Sequence, residues 1–131
     1  MNTLTLKPEA VLVGLHGDLG SGKTSFTQGV AGALGITGMV QSPTYVIMKS
    51  YDIPEGFNPS IKLGARKLIH IDAYRLESGD ELARLGFTDL LSDSQNLILL
   101  EWVEKVQSVV PKNYIRINFE FIDENTRKIE F

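Results

Sequence analysis

Short runs of apolar residues alternate with polar and glycine-rich segments along this chain. Three runs, at about residues 10 to 16, 67 to 72 and 96 to 101, are mostly apolar and predict strands, the last of which is expected to be buried. Residues 45 to 51 are rich in β-forming side chains, and residues 114 to 121 alternate apolar with polar side chains, which is typical of a strand with one solvated face. We therefore expect a sheet of short strands.

The segments between these runs predict helices and a hairpin. A helix is expected from about residue 22 to 34, where Gly35 ends it, and further helical segments are expected between about 79 and 92. Residues 127 to 131 are predicted to pair with the preceding strand through a turn at 123 to 125. Strands that alternate with helices indicate an α/β fold with crossover helices.

The composition is that of an ordinary globular protein. The 131 residues fit one domain, residues 1–131, and 43% of them are hydrophobic while 22% are charged. No apolar run approaches the roughly 18 residues of a membrane span, and the N-terminus lacks the features of a secretory signal, so we expect a cytoplasmic protein with no membrane partner. The absence of cysteine excludes disulfides and thiolate chemistry. The net charge of -3 argues against broad, sequence-independent binding of nucleic acid.

One segment carries most of the chemical information. It is Gly17-Asp18-Leu19-Gly20-Ser21-Gly22-Lys23-Thr24, a phosphate loop that matches G-x-x-x-x-G-K-[ST] directly after the first apolar run. Its glycines let backbone amides approach an anion closely, and a helix that begins near Gly22 adds free N–H groups and the positive end of its dipole. In such a loop Lys23 is the charge for the outer phosphates, and the Thr24 hydroxyl is placed to ligate Mg²⁺. The loop therefore predicts a site that holds a nucleotide by its phosphates.

Two acids end predicted strands and are candidates for the same site. Asp72 ends the run at 67 to 72 and Glu101 ends the run at 96 to 101. Because ligands of open α/β sheets gather at the carboxyl ends of strands, both acids are expected to reach one site near Mg²⁺. Thr44 precedes another strand, where a hydroxyl can sense a terminal phosphate as switch segments do. His16 and His70 belong to no ligand cluster or triad in the sequence, and both are assigned structural roles.

Four motifs occur in a fixed order: Gly-Asp-Leu-Gly-Ser-Gly-Lys-Thr at 17 to 24, Ser-Pro-Thr-Tyr at 42 to 45, His-Ile-Asp-Ala-Tyr-Arg-Leu at 70 to 76 and Leu-Glu-Trp at 100 to 102. Together they resemble the bacterial TsaE (YjeE) family, the ATPase subunit of the machinery that makes threonylcarbamoyladenosine (t6A) at position 37 of tRNA. The resemblance covers about residues 11 to 105. Four separately spaced motifs are far more specific than the phosphate loop alone.

The resemblance implies a P-loop NTPase three-layer fold with a mixed, mainly parallel central sheet. It also implies ATP and Mg²⁺ as cofactors and weak ATP hydrolysis that depends on the partner proteins TsaD and TsaB. These partners transfer the threonylcarbamoyl group to tRNAs that read ANN codons, so tRNA is an indirect partner. Hydrolysis is then expected to reset the complex between turnovers.

The same resemblance implies roles for individual residues. Lys23 would hold the β and γ phosphates, Asp72 would orient a water, and Thr44 would act as the switch residue. Thr24 and Glu101 would ligate Mg²⁺, and Trp102 would flank the site. The residues expected to bind the nucleotide are Gly17, Asp18, Leu19, Gly20, Ser21, Gly22, Lys23, Thr24 and Ser25, and those expected to act in catalysis are Lys23, Thr44, Asp72 and Glu101.

Three other functions share part of this pattern. A regulatory GTPase would need a guanine-reading motif of the N-K-x-D kind, which the sequence lacks. A small-molecule kinase would normally carry an arginine-rich lid, whereas the arginines here are scattered. For the ATPase, Arg75 is the best internal candidate for an arginine finger. A non-catalytic interaction module, in which bound ATP only stabilises an assembly, stays open. It predicts tight binding with no turnover even when the partners are present.

Overall fold

The structure is a computed structural model that describes residues 9–18, 21–37, 47–54 and 65–131. Leu19, Gly20 and Thr44, which are among the residues singled out in the sequence, lie outside the described residues. No helix in the described part of the chain is long and apolar enough to cross a membrane.

The described residues form a six-stranded sheet with α-helices between the strands. In chain order the elements are β1 (Val11–His16), α1 (Lys23–Ala33), β2 (Met48–Asp52), β3 (Lys67–Asp72), α2 (Gly79–Arg84), α3 (Phe87–Leu91), β4 (Asn96–Glu101), two 3₁₀ turns (Val103–Lys105 and Gln107–Val109), β5 (Ile115–Asp123) and β6 (Thr126–Glu130). The predicted alternation of strands and helices is confirmed, and β2 is found three residues later than its predicted start at 45.

The strands are ordered β2-β3-β4-β1-β5-β6 in the sheet. The central pairs β3 with β4, β4 with β1 and β1 with β5 are parallel, and the outer pairs β2 with β3 and β5 with β6 are antiparallel. This arrangement confirms the mixed, mainly parallel sheet. It also means that β1, β3 and β4 all end at the same edge of the sheet.

Apolar side chains cover both faces of the sheet, because side chains alternate between the faces along each strand. On one face Ala31 of α1 and Leu34, directly after this helix, pack in a cluster that includes Leu15, Leu68 and Leu99. On the other face α2, α3 and the first 3₁₀ turn complete a second cluster. Its buried members are Leu12, Ile69, Ile71, Ala73, Leu76, Leu82, Phe87, Ile98, Leu100, Val103 and Val106. The sheet between the two clusters gives the three layers that the family resemblance implies.

The central strand β4 is the most deeply placed element. All six of its residues are buried, and it receives backbone hydrogen bonds from β1 on one side and β3 on the other. Full burial of each leucine or isoleucine side chain of β4 stabilises the fold by about 1.5–3 kcal/mol. Glu101 at its end is thereby held inside the protein, with 3% of the residue exposed.

Two glycines of this fold should respond in opposite ways to the same substitution. In Gly14→Ala the new methyl group would lie 2.5 Å from the Tyr114 ring and 2.9 Å from Val103, so neighbours must move. We expect a loss of about 1–3 kcal/mol in the free energy of unfolding. In Gly29→Ala, inside α1, the new methyl group would meet no described atom within 4 Å beyond its chain neighbours and the backbone of the helix itself, so this change should instead raise the free energy of unfolding by about 0.5–1 kcal/mol. Urea unfolding of both variants measures the two effects, and equal effects would contradict this account of the packing at Gly14.

Candidate functional site

A cavity of 690 Å³ lies at the edge where β1, β3 and β4 end and α1 begins. Its floor is formed by residues 21 to 26, at the end of the phosphate loop and in the first turn of α1. The ends of β3 and β4 supply Asp72, Tyr74, Glu101 and Trp102. The hairpin of β5 and β6 forms a further wall. This cavity is within the range that holds a small-molecule ligand.

The phosphate loop enters α1 through a backbone conformation that suits glycine. Gly22 has φ 103°, in the left-handed region, and immediately precedes the first helical residue, Lys23. No side chain of the described ranges caps the first turn of α1, and no acidic residue lies in that turn. The free N–H groups of that turn therefore form an uncapped, positive helix end, which favours the binding of an anion.

Polar side chains of the loop are buried within reach of the same cavity. Ser21 lines it, and its hydroxyl oxygen is buried and has no hydrogen-bond partner in the described part of the chain. The Lys23 side chain is buried and its Nζ donates a hydrogen bond to the carbonyl oxygen of Gly17 at 2.6 Å. Thr24 is half-buried, and Ser25 is exposed at the cavity. Asp18 is exposed and accepts a hydrogen bond from the Ser21 N–H through its carbonyl oxygen.

Asp72 and Glu101 are neighbours across the pair formed by β3 and β4. Their Cα atoms are partners in the parallel register, and both residues line the cavity. A carboxylate oxygen of Asp72 accepts a hydrogen bond from the N–H of Tyr74 at 3.0 Å. Glu101 is buried, and its Oε2 lies 2.6 Å from Nε2 of His70. The two acids expected at one site are therefore found together at one cavity.

The Lys23 ammonium lies in a mixed electrostatic environment. Burial lowers the pKa of Lys23, and the negative charges of Glu101, Glu104 and Asp72 act in the opposite direction. Its Nζ also lies 4.0 Å from the centroid of the Trp102 ring, which is a cation–π distance. Carboxylates and an aromatic face therefore keep a cation in a poorly solvated place, close to the uncapped start of α1.

Trp102 reaches this position through an unusual backbone conformation. It has φ 61°, and among the described residues it is the one non-glycine residue with a positive φ. Such a conformation costs about 1–3 kcal/mol and often marks a functional site. The Trp102 ring also packs against Tyr74, with 5.2 Å between ring centroids. This backbone conformation and the contact with Tyr74 together place an aromatic ring against Lys23.

The hairpin wall contributes residues that sequence reasoning left out. Glu124, Asn125, Arg127 and Ile129 line the cavity. All five arginines of the chain are described, and Arg127 is the one at the cavity, whereas Arg75 is exposed elsewhere. The Arg127 guanidinium lies 4.3 Å from the centroid of the Phe121 ring and donates hydrogen bonds to the carbonyl oxygens of Asp123 and Thr126. Arg127 was missed because the sequence shows no sign that the hairpin lies beside the phosphate loop.

His70 is a second residue whose position at the site the sequence did not predict. It was assigned a structural role, and the structure shows it in direct contact with Glu101. One signal was available: His70 lies two residues before Asp72 in a strand, so both must point to the same face of the sheet. What the sequence did not give was the neighbour strand and its register.

These residues fit a triphosphate nucleotide with Mg²⁺. The uncapped helix start, the orphaned Ser21 hydroxyl and the Lys23 ammonium are suited to phosphate oxygens. The Thr24 hydroxyl and the Glu101 carboxylate are oxygen donors of the kind that Mg²⁺ takes, and Mg²⁺ at phosphate sites commonly uses one or two carboxylates, with phosphates and waters completing its shell.

Comparison with known proteins agrees with this geometry. The family model described as "Threonylcarbamoyl adenosine biosynthesis protein TsaE" matches residues 2–129. The chain belongs to the TsaE family. The resemblance carried by the four sequence motifs is thereby confirmed over nearly the whole chain.

Individual members of this family are similar over most of the chain. The tRNA threonylcarbamoyladenosine biosynthesis protein TsaE of Haemophilus influenzae is 35% identical over 122 residues, which are 93% of this chain and 70% of that protein. The protein of the same name from Bacillus subtilis is 38% identical over 125 residues, 95% of this chain and 70% of that protein. The crystal structure of YdiB from Bacillus subtilis superposes with a TM-score of 0.67 at 30% identity, covering 92% of this chain and 66% of that one. The P-loop NTPase-like fold is therefore shared with a solved relative.

A histidine beside the site makes stability depend on pH. His16, at the end of β1, lies 2.8 Å from the Tyr114 hydroxyl through Nε2 and 3.9 Å from a Glu104 carboxylate oxygen through Nδ1. Burial lowers the pKa of His16, the positive charges of Arg116 and Lys23 lower it further, and Glu104 opposes them. The folded protein therefore takes up a proton at His16 less readily than the unfolded chain.

The sign of the effect follows from linkage. The stability associated with neutral His16 is complete above its ordinary pKa of 6.5 and is lost as the pH falls through that value towards the lowered pKa of the folded state. The variant His16→Gln lacks this titrating group. Between about pH 7.5 and about pH 5.5 the free energy of unfolding should therefore fall more in wild type than in the variant. Urea unfolding at several pH values measures it. Tyr114→Phe keeps the imidazole and should keep the pH dependence, whereas parallel pH profiles for wild type and His16→Gln would contradict the assignment.

Proposed function

We propose that this chain binds ATP and Mg²⁺ in the cavity and hydrolyses the ATP as its part in the biosynthesis of threonylcarbamoyladenosine in tRNA. Membership of the TsaE family supports the role in tRNA modification. The observation that carries the nucleotide chemistry is the meeting of Lys23, Thr24, Asp72 and Glu101 at one cavity from three different elements.

Each group has a task that its position supports. Lys23 and the amides at the start of α1 hold the phosphates. The residues from Gly17 to Ser25, of which Leu19 and Gly20 lie outside the described ranges, are proposed to contribute to the cradle around them. Thr24 and Glu101 hold Mg²⁺, which when bound neutralises charge on the phosphate oxygens. Asp72 orients the attacking water. Thr44, outside the described residues, is proposed as the switch that senses the terminal phosphate.

Hydrolysis at such a site needs positioned charge more than a covalent apparatus. Arg127, the arginine at the cavity, already donates its hydrogen bonds to carbonyl oxygens of its own hairpin. A low intrinsic rate is therefore expected for the chain alone. We propose that the TsaD and TsaB homologues complete the site, that the modification itself takes place on the partners and tRNA, and that hydrolysis resets the complex between turnovers.

ATP turnover by the purified chain tests this function most directly. Hydrolysis is measured for the chain alone and with the TsaD and TsaB homologues of its host. We expect turnover to rise with the partners, and Lys23→Ala to lower it by about 100-fold or more because the buried charge at the phosphates is lost. Lys112→Ala, a change at an exposed lysine far from the cavity, should retain full turnover and serves as the matched control.

Two outcomes would change the assignment. Demonstrable ATP binding with no turnover in the complete complex would favour the non-catalytic interaction module over the ATPase. Full turnover in Lys23→Ala would contradict the phosphate site itself.

The single tryptophan of the chain offers a second test that does not depend on turnover. Phosphate oxygens compete with the Trp102 ring for the Lys23 ammonium, so ATP binding should change the surroundings of that ring. We expect a saturable change in tryptophan emission during titration with ATP and Mg²⁺. Lys23→Ala should abolish the change. Constant emission at a concentration where calorimetry shows saturation would contradict the displacement of Lys23 from the ring.

A further inference from the structure

A buried hydrogen bond joins His70 to Glu101 beneath the candidate site. Nε2 of His70 lies 2.6 Å from Oε2 of Glu101, and the two side chains are 0% and 4% exposed. His70 opposes Leu99 in the register of β3 and β4, so it lies diagonally across the strand pair from Glu101 on the same face of the sheet. The contact is therefore set by the sheet and not by a flexible loop.

The imidazole of His70 lies in apolar surroundings that an aliphatic side chain would also fill. Its neighbours along β3, Leu68, Ile69 and Ile71, are all buried and apolar. Nδ1 of His70 is buried and has no hydrogen-bond partner among the residues that the structure describes. A buried polar atom without a partner lowers stability. Packing alone therefore gives no reason for a histidine here.

The tautomer of His70 follows from these contacts. A carboxylate accepts hydrogen bonds, so Nε2 carries the proton and donates it to Oε2 of Glu101. In the tautomer with its proton on Nε2, Nδ1 has only a lone pair, so no buried N–H is left unpaired. One oxygen of the carboxylate is thereby fixed, which restricts the orientation of the other.

We propose that His70 is a positioning residue that holds the Glu101 carboxylate in the orientation in which it meets Mg²⁺. This inference rests on the proposed function, since it assigns Glu101 to the metal. Residues that orient a metal ligand from behind commonly change metal affinity by 10–100-fold when they are replaced, although they never touch the metal. His70 acts in this way through Glu101 alone.

Matched amide variants separate this role from a merely structural one. The amide nitrogen of Gln lies about as far along its side chain as Nε2 of histidine, whereas the shorter Asn side chain does not reach that point. Both residues are neutral and polar. His70→Gln should therefore keep the hydrogen bond to Glu101, and His70→Asn and His70→Leu should lose it.

The measured quantity is the ratio of the dissociation constants for ATP in EDTA and in Mg²⁺, obtained by calorimetry for the full chain. We expect His70→Asn and His70→Leu to lower this ratio by about tenfold or more, with little change in EDTA. His70→Gln should stay within about threefold of wild type, as expected of a partly restored contact. A structural role alone would weaken binding in EDTA and Mg²⁺ equally and leave the ratio unchanged, which would overturn the inference.

Wild type supplies the remaining outcomes. Absence of ATP binding by the wild-type chain would overturn the proposed function, and with it this inference. ATP binding that Mg²⁺ does not strengthen would overturn the assignment of Glu101 and His70 but leave nucleotide binding intact.

A measurement on wild type covers the case in which the His70 variants do not fold. Long-range nitrogen–proton NMR spectra distinguish the tautomers of the two histidines in the chain. We expect His70 to be protonated at Nε2, and its Nε2 resonance to shift when Mg²⁺ is added to the ATP complex. Protonation at Nδ1, or an Nε2 resonance that does not respond to Mg²⁺, would overturn the proposal.

Discussion

The parallel pairing of β4 with both β1 and β3 is the constraint on which the rest of the structure depends. All residues of β4 are buried, so its backbone groups must be satisfied by neighbours on both sides, and both neighbours run in the same direction. Three strand ends are consequently brought to one edge of the sheet. Because side chains alternate along a strand, Glu101 then points to the face on which α1 packs. A hydrophobic requirement thereby fixes the position of a charged group.

The site that results concentrates groups which are costly to bury separately. Lys23, Glu101 and His70 are all buried, and each has a partner: the carbonyl of Gly17 for the ammonium, and one another for the carboxylate and the imidazole. A buried charge is tolerated when it is paired and hydrogen-bonded. Strain at Trp102 adds to this cost. The apolar burial in the two clusters thus offsets the free-energy cost of a preorganised polar cavity.

Much of this arrangement could be predicted from the sequence, because it rests on local patterns. Apolar runs located the buried strands, Gly35 marked the end of α1, and the phosphate loop identified the start of the site. The acids at 72 and 101 were found because each ends an apolar run. These signals need only neighbours along the chain.

The rest depends on contacts between segments that are distant in sequence. The pairing of His70 with Glu101 requires the order and register of β3 and β4, which a single strand does not encode. The cavity wall around Arg127 requires β5 to lie beside β1. The left-handed backbone at Trp102 is unusual for a tryptophan, so residue preference argues against it. The His70–Glu101 pair, the cavity wall around Arg127 and the backbone at Trp102 are therefore all determined by tertiary contacts.

The hairpin that walls the cavity has an irregularity with a consequence for the evolution of loop length. Between the pairs Phe121–Arg127 and Asp123–Thr126 the register shifts, so that Ile122 is an extra residue in β5. With this bulge kept as it is, inserting or deleting one residue in the turn would invert the orientation of every later side chain in β6, exchanging Arg127 and Ile129 for Lys128 and Glu130 at the cavity. The cavity would then meet an alternating acid and base in place of an arginine and an aliphatic side chain. Changes of turn length here should therefore be tolerated in steps of two residues, a spacing rule imposed by the pleat and not by the turn itself.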